Sequence, residues 1–276
     1  MKRFVTLAAL LAATTLVAAE PQRLVVDASA KGHPIAETMY GLFFEDINYA
    51  ADGGLYAELI KNRSFEFDQP LMGWRTFGHV TLREDGPFER NPHYLRLRYS
   101  GHRDIHTGVE NEGYFGIALK GGEEYRFSLW ARTLGNGEQV VSFNIVSDDY
   151  SLENTVIHTT PIRITSEEWQ RYEVIVKAPS TVKNGRIRLI LEQPVPRKRL
   201  TDIGVDVEHL SLFPVDTYKG WKNGLRKDLA EALADLKPGI FRFPGGCIIE
   251  GTTLETRYQW KNSVGPVENR PTNQNR

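Results

Sequence analysis

The chain has 276 residues, of which 41% are hydrophobic and 11% aromatic, and its formal net charge at pH 7 is −1. This composition is typical of a folded protein with one large domain or two ordinary ones, and it excludes a disordered chain. The balanced charge argues against binding to nucleic acid or to an anionic membrane surface. A single cysteine excludes a disulfide-stapled scaffold and a thiolate metal cluster.

Residues 1–19 have the pattern of a secretory signal peptide. Lys2 and Arg3 form a basic start, Phe4–Val17 is apolar, and small residues lead to Ala19. The alternative is a buried N-terminal helix; a membrane span would need about 20 apolar residues. We therefore expect cleavage after Ala19 and a secreted or periplasmic protein without a membrane anchor.

Residues 20–68 are predicted to form a first β/α unit. A short strand is expected at Leu24–Val26, and a second apolar strand ends at Phe43–Asp46. Leu55 and Leu59 then follow at helical spacing, which predicts a helix.

The period changes to two in residues 69–214. Apolar and polar residues alternate in segments that contain Leu95, Tyr125, Val141, Tyr172 and Ile187. Turns are predicted at Lys120–Gly122, Gly135–Gly137 and Lys183–Gly185. The second of them, extended to Glu138, is expected to be a hairpin turn. Half-buried strands with this punctuation predict an inserted antiparallel β-sandwich or jelly roll.

Residues 215–276 are predicted to form a second, incomplete α/β unit. Leu225, Leu229, Leu233 and Leu236 mark a helix that ends at Lys237–Gly239, and a short strand follows at Ile240–Phe243. Two such units cannot close a barrel of eight. The fold class expected is therefore mixed α/β and all-β: the start of a (β/α)8 TIM barrel, interrupted by the sandwich and truncated at the C-terminus.

Two strand ends carry polar side chains where barrels place their functional residues. Glu45 and Asp46 follow the first strand and could accept hydrogen bonds from substrate hydroxyls; the alternative is a surface acidic pair that caps the next element. Arg242 lies within an apolar strand and needs a carboxylate partner, either in a structural ion pair or beside a catalytic carboxylate. Gly245 and Gly246 would let the backbone approach a ligand closely.

No metal site or cofactor is predicted. The seven histidines show no helical ligand spacing, and Cys247 is expected to be a small packed thiol. A calcium ion bound at Asp148–Asp149 is an alternative. Asn111-Glu112 has the form of an Asn-Glu acid/base pair but is predicted to be a turn.

Two groups of motifs resemble the α-L-arabinofuranosidases of glycoside hydrolase family 51. They are Met39–Asn48, Asp52–Leu59 and Asn62–Glu66 in the first unit, and Phe241–Cys247, Glu250-Gly251 and Val264–Pro271 in the second. The central segment resembles a jelly-roll carbohydrate-binding module at Gly113–Ile117 and Leu210–Pro214.

The resemblance implies a retaining exo-hydrolase that removes terminal non-reducing α-L-arabinofuranosyl groups from arabinoxylan or arabinan. It implies that Glu45 binds arabinose hydroxyls, that Arg242 orients the nucleophile, and that the residue at Cys247 contacts the sugar. It places the acid/base and nucleophile glutamates beyond residue 276, so that the chain alone is expected to be inactive. Homo-oligomers of the full-length protein are a further expectation.

Two alternatives remain at this point. The first is a non-catalytic sugar-binding fragment, in which only the sandwich acts. Its candidate stacking residues, most of which are expected to be core, are Trp74, Tyr94, Tyr114, Trp130, Tyr150 and Trp169. The second is a related activity on the same barrel, such as an endoglucanase or a β-xylosidase.

Overall fold

The computed structural model describes residues 23–99, 105–135, 137–147, 155–193 and 203–272. The predicted signal peptide at residues 1–19, Tyr150 and the Asp148–Asp149 pair lie outside the described residues. The described residues fall into two units, which are divided after Ala36. In the first unit the strand predicted at Leu24–Val26 is wrong: these residues are irregular and exposed, and no described strand pairs with their backbone.

The second unit is mostly β-sheet. Its strands are β1 (Gly41–Phe43), β2 (Trp74–Phe77), β3 (His79–Arg83), β4 (Tyr94–Arg98), β5 (Thr107–Asn111), β6 (Ile117–Leu119), β7 (Glu124–Leu134), β8 (Gln139–Ser147), β9 (Thr155–Ile164), β10 (Gln170–Lys177), β11 (Val182–Leu191), β12 (Gly204–Pro214) and β13 (Ile240–Arg242). Its α-helices are α1 (Lys227–Asp235) and α2 (Cys247–Glu250), and its 3-10 helices are Glu37–Met39, Tyr218–Gly220, Trp260–Ser263 and Val267–Asn269. Among the described residues, every helix falls short of the length and hydropathy that a membrane crossing requires.

The strands β1 and β13 form a parallel pair, with Gly41 opposite Ile240 and Phe43 opposite Arg242. The two strands predicted here are thus confirmed, as is the helix α1 that precedes β13. Parallel strands need a long crossover connection. Here the connection between them contains the whole sandwich.

The helix predicted around Leu55 and Leu59 is wrong. The segment is a series of turns and bridges, held by hydrogen bonds from the Ala57 N–H to the Gly224 carbonyl (3.1 Å) and from the Leu59 N–H to the Leu212 carbonyl (2.9 Å). These bonds tie the segment to other parts of the chain, so its backbone cannot close the local bonds of a helix.

Two antiparallel sheets build the sandwich that the alternating pattern predicts. One has the order β10-β7-β12-β4-β3; the other has the order β2-β5-β11-β8-β9, with β6 also paired to β11. The core between them includes Leu95, Phe127, Phe143, Leu189 and Val207, each at most 1% exposed. Ile60 and Phe65, which precede the first sandwich strand, are buried in the same core.

Two predicted turns have a different role. Gly135–Gly137 connects β7 to β8, which lie in different sheets, so the hairpin predicted at Gly135–Glu138 is wrong and the segment is a crossover. Lys183–Gly185 lies inside β11, where the pairing with β6 shifts register. Glycine and asparagine suit a bulge as well as a turn, which is why the sequence pattern does not separate the two.

The aromatic residues considered for sugar stacking are mostly packed. Tyr94 is fully buried and its ring lies 5.2 Å from that of Trp169. Trp74 packs against Phe65 at 5.2 Å, and its indole N–H donates to the Asn62 carbonyl at 2.8 Å. The expectation that most of these rings are packed inside the protein is therefore confirmed for Tyr94 and Trp74.

Candidate functional site

The parallel pair continues beyond the strands into a loop contact. The Phe44 N–H donates to the Arg242 carbonyl and the Asp46 N–H to the Pro244 carbonyl, each at 2.9 Å. Between them, Oε1 of Glu45 accepts the Gly246 N–H at 3.0 Å. The structure thus brings Glu45 to the Pro-Gly-Gly turn at the carboxyl ends of both strands.

Arg242 lies on the same face as Glu45. Neighbouring residues of a strand point to opposite faces, and Arg242 pairs in register with Phe43, two residues before Glu45. Its guanidinium carbon lies 4.7 Å from the centroid of the Phe43 ring. Its side chain is exposed, and no carboxylate of the described residues lies within 4.0 Å of it. The structural ion pair considered for Arg242 therefore has no partner in the described part of the chain.

The thiol of Cys247 is exposed at the start of α2. The expectation of a packed thiol is therefore wrong. The helix α2 begins at Cys247, directly after Gly246. The Gly246 N–H is bound by Glu45, and the cysteine that follows lies at the surface.

Asp46 has a different role from its neighbour. Its Oδ1 accepts the Ala51 N–H at 3.2 Å and so closes the loop that follows β1. Burial raises the pKa of this carboxyl group, and the nearby Asp52 adds to the rise. Asp46 thus has the capping function that is the alternative for the acidic pair. Glu45 instead binds the turn that follows the other strand, β13.

A large cavity lies on the opposite face of the strand pair. It encloses about 600 Å³ and is lined by Phe44, Asp46 and Phe243. These residues alternate along the chain with Glu45 and Arg242, which do not line it. The cavity is therefore separate from the surface on which the predicted site residues lie.

Gly246 lies where two of the candidate site side chains meet. A Cβ atom at this position would lie 3.5 Å from Oε1 of Glu45 and 3.8 Å from a terminal nitrogen of Arg242. Gly246 is therefore the point where the two side chains converge. The Gly245-Gly246 pair predicts a close approach of the backbone to a ligand, and in the structure the Gly246 N–H binds the Glu45 side chain of the same chain.

A buried ion pair links the loop after β1 to the sandwich. Glu58 is 1% exposed and accepts hydrogen bonds from the Ile60 N–H (3.0 Å), the Leu212 N–H (2.9 Å) and the Ser211 hydroxyl (2.5 Å). Arg63 lies 3.3 Å away, and its charge opposes the rise that burial causes in the pKa of Glu58. The chain that carries Asp46 is therefore held to the sandwich at its C-terminal end, where Glu58 lies.

The described residues contain no group of three or more His, Cys, Asp or Glu side chains arranged to hold a metal ion. The polar groups that converge are instead one carboxylate, one guanidinium and backbone amides. Such groups can donate to and accept from the hydroxyls of a neutral ligand.

Two family models match the chain. That of the carbohydrate binding domain matches residues 57–196, more than half of the chain, and that of the α-L-arabinofuranosidase 1 domain matches residues 232–276. The first range contains Ile60 and Phe65, and the second contains β13, Arg242 and Cys247.

Two curated relatives and one solved structure are similar to most of this chain. An extracellular exo-α-L-arabinofuranosidase of Streptomyces chartreusis is 38% identical, with 91% of this chain and 30% of the relative aligned. The α-L-arabinofuranosidase 1 of Arabidopsis thaliana is 35% identical, with 90% and 37% aligned. The solved structure of an arabinose-bound family 51 α-L-arabinofuranosidase superimposes with a TM-score of 0.73 at 28% identity, covering 87% of this chain and 39% of that one.

The chain thus spans about a third of the length of these curated relatives. Within that span the match includes both the sandwich and the parallel strand pair. Through residues 57–196 the chain belongs to the carbohydrate-binding domain family, and it is homologous, over about a third of their length, to the α-L-arabinofuranosidases of glycoside hydrolase family 51.

Proposed function

We propose that the protein to which this chain belongs is an α-L-arabinofuranosidase that removes terminal non-reducing α-L-arabinofuranosyl residues from polysaccharides. The observation that carries the proposal is the arrangement at Gly246, where the Glu45 carboxylate accepts the backbone N–H at 3.0 Å with Arg242 on the same strand face. The homology supports it, since the relatives named above are arabinofuranosidases.

Each site residue has a proposed task in sugar binding. Oε1 of Glu45 is held by Gly246, which leaves Oε2 to accept from hydroxyls of the arabinose. Cys247 is exposed next to that carboxylate and contacts the same sugar. Arg242 has five N–H donors and no carboxylate partner within the described residues, so it is available to orient a catalytic carboxylate.

The proposed chemistry is a retaining double displacement. One carboxylic acid protonates the leaving oxygen, and a carboxylate about 5 to 5.5 Å away attacks the anomeric carbon to form a glycosyl-enzyme, which water then hydrolyses. We assign neither group to this chain.

The parallel pair is proposed to be part of a (β/α)8 barrel. The register of β1 and β13, the helix α1 before β13 and the polar residues at the carboxyl ends all fit that architecture. We also propose that the inserted unit begins near residue 57 instead of residue 69, because Ile60 and Phe65 are buried in the sandwich core.

The proposed substrates are arabinoxylan and arabinan, and the proposed location is outside the cell. The basic and apolar start of the chain and the extracellular relative from Streptomyces chartreusis support secretion.

The test is arabinose release from 4-nitrophenyl α-L-arabinofuranoside and from arabinoxylan by the full-length protein. We expect Glu45→Gln to lower kcat/KM by about 10- to 100-fold, because a hydrogen bond to a charged group contributes about 1.5–3 kcal/mol. Glu231→Gln, on the exposed side of α1, is the matched control and should leave kcat/KM unchanged. Failure to release arabinose would refute the proposal, and release of xylose from arabinoxylan without arabinose would favour the β-xylosidase alternative.

A second function, carbohydrate binding by the sandwich, is favoured by the family match over residues 57–196. It predicts heat of binding when xylan- or arabinan-derived oligosaccharides are titrated into the chain. If no plant polysaccharide gives a signal, the sandwich is a structural spacer.

A further inference from the structure

One aromatic side chain of the sandwich is largely exposed to solvent. Phe115, in the connection between β5 and β6, is 81% exposed. Single exposed apolar residues are common on protein surfaces. Phe115 differs from such residues because its loop is held from both sides and because it borders a polar pocket.

Asn111 fixes the start of this loop. Its side-chain Oδ1 accepts the Gly113 N–H at 2.9 Å and the Lys61 N–H at 3.2 Å, and its Nδ2 donates to the Lys61 carbonyl at 2.9 Å. Gly116 fixes the end. It has a φ of +85°, and a Cβ there would lie 2.8 Å from the Asn184 Cα, so the loop lies directly on the bulge of β11. The loop is thus already ordered, and the Phe115 ring should lose little conformational entropy when it binds a ligand.

Tyr114, the residue before Phe115, anchors the loop to the segment that follows Glu45. A Cβ on Gly53 would lie 2.2 Å from the Tyr114 ring, so the ring packs on the bare backbone there. Tyr49 contacts both rings, with centroid distances of 5.2 Å to Tyr114 and 6.2 Å to Phe115. Phe115 is therefore connected by direct contacts to the loop that begins at the proposed sugar site.

The pocket beside Phe115 encloses about 310 Å³, and its wall includes Glu112, Asn184 and Arg186. These side chains supply a carboxylate, an amide and a guanidinium. Arg186 lies 3.6 Å from Glu110, but that carboxylate is bound more closely by Arg188, at 2.5 Å. Most of the Arg186 donors therefore remain for a ligand.

We propose that Phe115, Glu112, Asn184 and Arg186 form a binding subsite for the neutral main chain of the polysaccharide that bears the arabinosyl group. The exposed ring stacks on the apolar face of a pyranose, and the polar wall exchanges hydrogen bonds with its hydroxyls. One acidic and one basic group in the wall suit a neutral sugar better than a charged ligand. The subsite deepens the proposed function and rests on it, since it assigns the sandwich a part in holding the substrate.

The test is isothermal titration of xylohexaose into the whole chain, with retardation in arabinoxylan-containing gels as a second readout. We expect Phe115→Ala to weaken binding by about tenfold, as is typical when an aromatic anchor is truncated. Phe115→Tyr should restore most of the affinity. The matched control is Trp221→Ala, which removes another exposed aromatic ring (72% exposed) and should bind like the wild type.

Phe115 is exposed, so thermal unfolding of Phe115→Ala should match that of the wild type, and a loss of binding then reports the subsite. Equal affinity of Phe115→Ala and wild type would overturn the proposal, as would a wild type that binds neither xylohexaose nor arabinoxylan. The measurement involves no hydrolysis. Failure of the full-length protein to release arabinose would therefore refute the proposed activity and leave the binding result standing, and the reverse also holds.

Discussion

Asp206 of β12 and Arg96 of β4 form a two-point ion pair across neighbouring strands. The guanidinium Nε lies 2.7 Å from Oδ1 and Nη2 lies 2.9 Å from Oδ2. Arg132 of β7, on the other side, approaches Oδ2 at 2.9 Å, and Asp206 is completely buried. One carboxylate therefore pairs with two arginines on one face of the five-stranded sheet.

We expect Asp206→Asn to lower the free energy of unfolding by about 3 kcal/mol, because it leaves two guanidinium groups without their counter-charge. The exposed pair of Asp216 and Lys227 provides the control, and Asp216→Asn should cost less than about 1 kcal/mol. Urea unfolding of both variants measures the difference. Equal effects would show that the buried pair contributes no more than a surface pair.

The buried Glu208 predicts that stability falls as the pH rises above about 4.5, the ordinary pKa of the group. Neither carboxylate oxygen has a hydrogen-bond partner among the described residues, and burial raises its pKa well above the ordinary value of 4.5. The negative charges of Glu66 and Glu268 add to the rise. The folded state therefore retains a proton that the unfolded state releases, and stability should fall by up to about 1.4 kcal/mol per pH unit above the unfolded pKa.

The matched variant is Glu208→Gln, which keeps the shape of the protonated acid. We expect its stability to equal that of the wild type near pH 5 and to exceed it at pH 8. Chemical unfolding at both pH values provides the comparison. A wild type that loses no more stability than the variant over this range would contradict the assignment of a protonated Glu208.

His209, the next residue, predicts the opposite slope in acid. Burial lowers its pKa to about 3, and Arg63 contributes to the decrease. The unfolded state binds a proton below about pH 6.5 while the folded state does not, so this part of the stability is lost as the pH falls from 6.5 towards 3. His209 has a φ of 46°, which asparagine tolerates, and His209→Asn should therefore unfold with a shallower acid dependence. Identical acid profiles would argue against this assignment.

Cys247 provides a probe of the proposed sugar site. Because its thiol is exposed, one equivalent should react with a disulfide reagent in the folded chain without denaturant. If Cys247 contacts the sugar, saturating L-arabinose should slow this reaction. Cys247→Ser should abolish the reaction entirely. A rate that does not change with arabinose would remove Cys247 from the proposed site.

The start of the sandwich can be tested with Phe65, which is fully buried in its core. We expect Phe65→Ala to lower the free energy of unfolding by about 3–5 kcal/mol. A fragment of residues 57–215 should accordingly unfold cooperatively, and a fragment of residues 69–215 should be much less stable because it lacks Ile60 and Phe65. Equal stability of the two fragments would support the later boundary.

The sandwich and the strands β1 and β13 could be predicted from sequence because each has a local signal, a two-residue period or an apolar run ended by polar residues. The helix predicted around Leu55 shared such a signal but does not form, since its backbone bonds go to Gly224 and Leu212, more than 150 residues away. Local periodicity contains no information about such partners. The hairpin prediction at Gly135–Glu138 failed for a related reason. A turn motif does not specify which sheet receives the next strand.

The candidate site was predictable only in part. Glu45, Arg242 and Cys247 follow from strand ends and from the resemblance, but the bond between the Glu45 carboxylate and the Gly246 amide joins residues 201 positions apart. The exposure of Cys247 depends on the direction in which α2 leaves that turn, which spacing cannot express.

The strand β12 is buried from Gly204 to Phe213, and its partners lie in both halves of the fold. Within the sheet it pairs with β4 and β7, and outside the sheet its backbone bonds to Arg63, Leu59 and the side chain of Glu58. An opening that frees β12 must therefore disrupt both sets of partners at once. Its amide hydrogens should be among the last to exchange with deuterated solvent, at a rate set by complete unfolding and not by local fluctuation. The sandwich and the loop after β1 would then unfold as one cooperative unit, although their sequences have different hydrophobic periods.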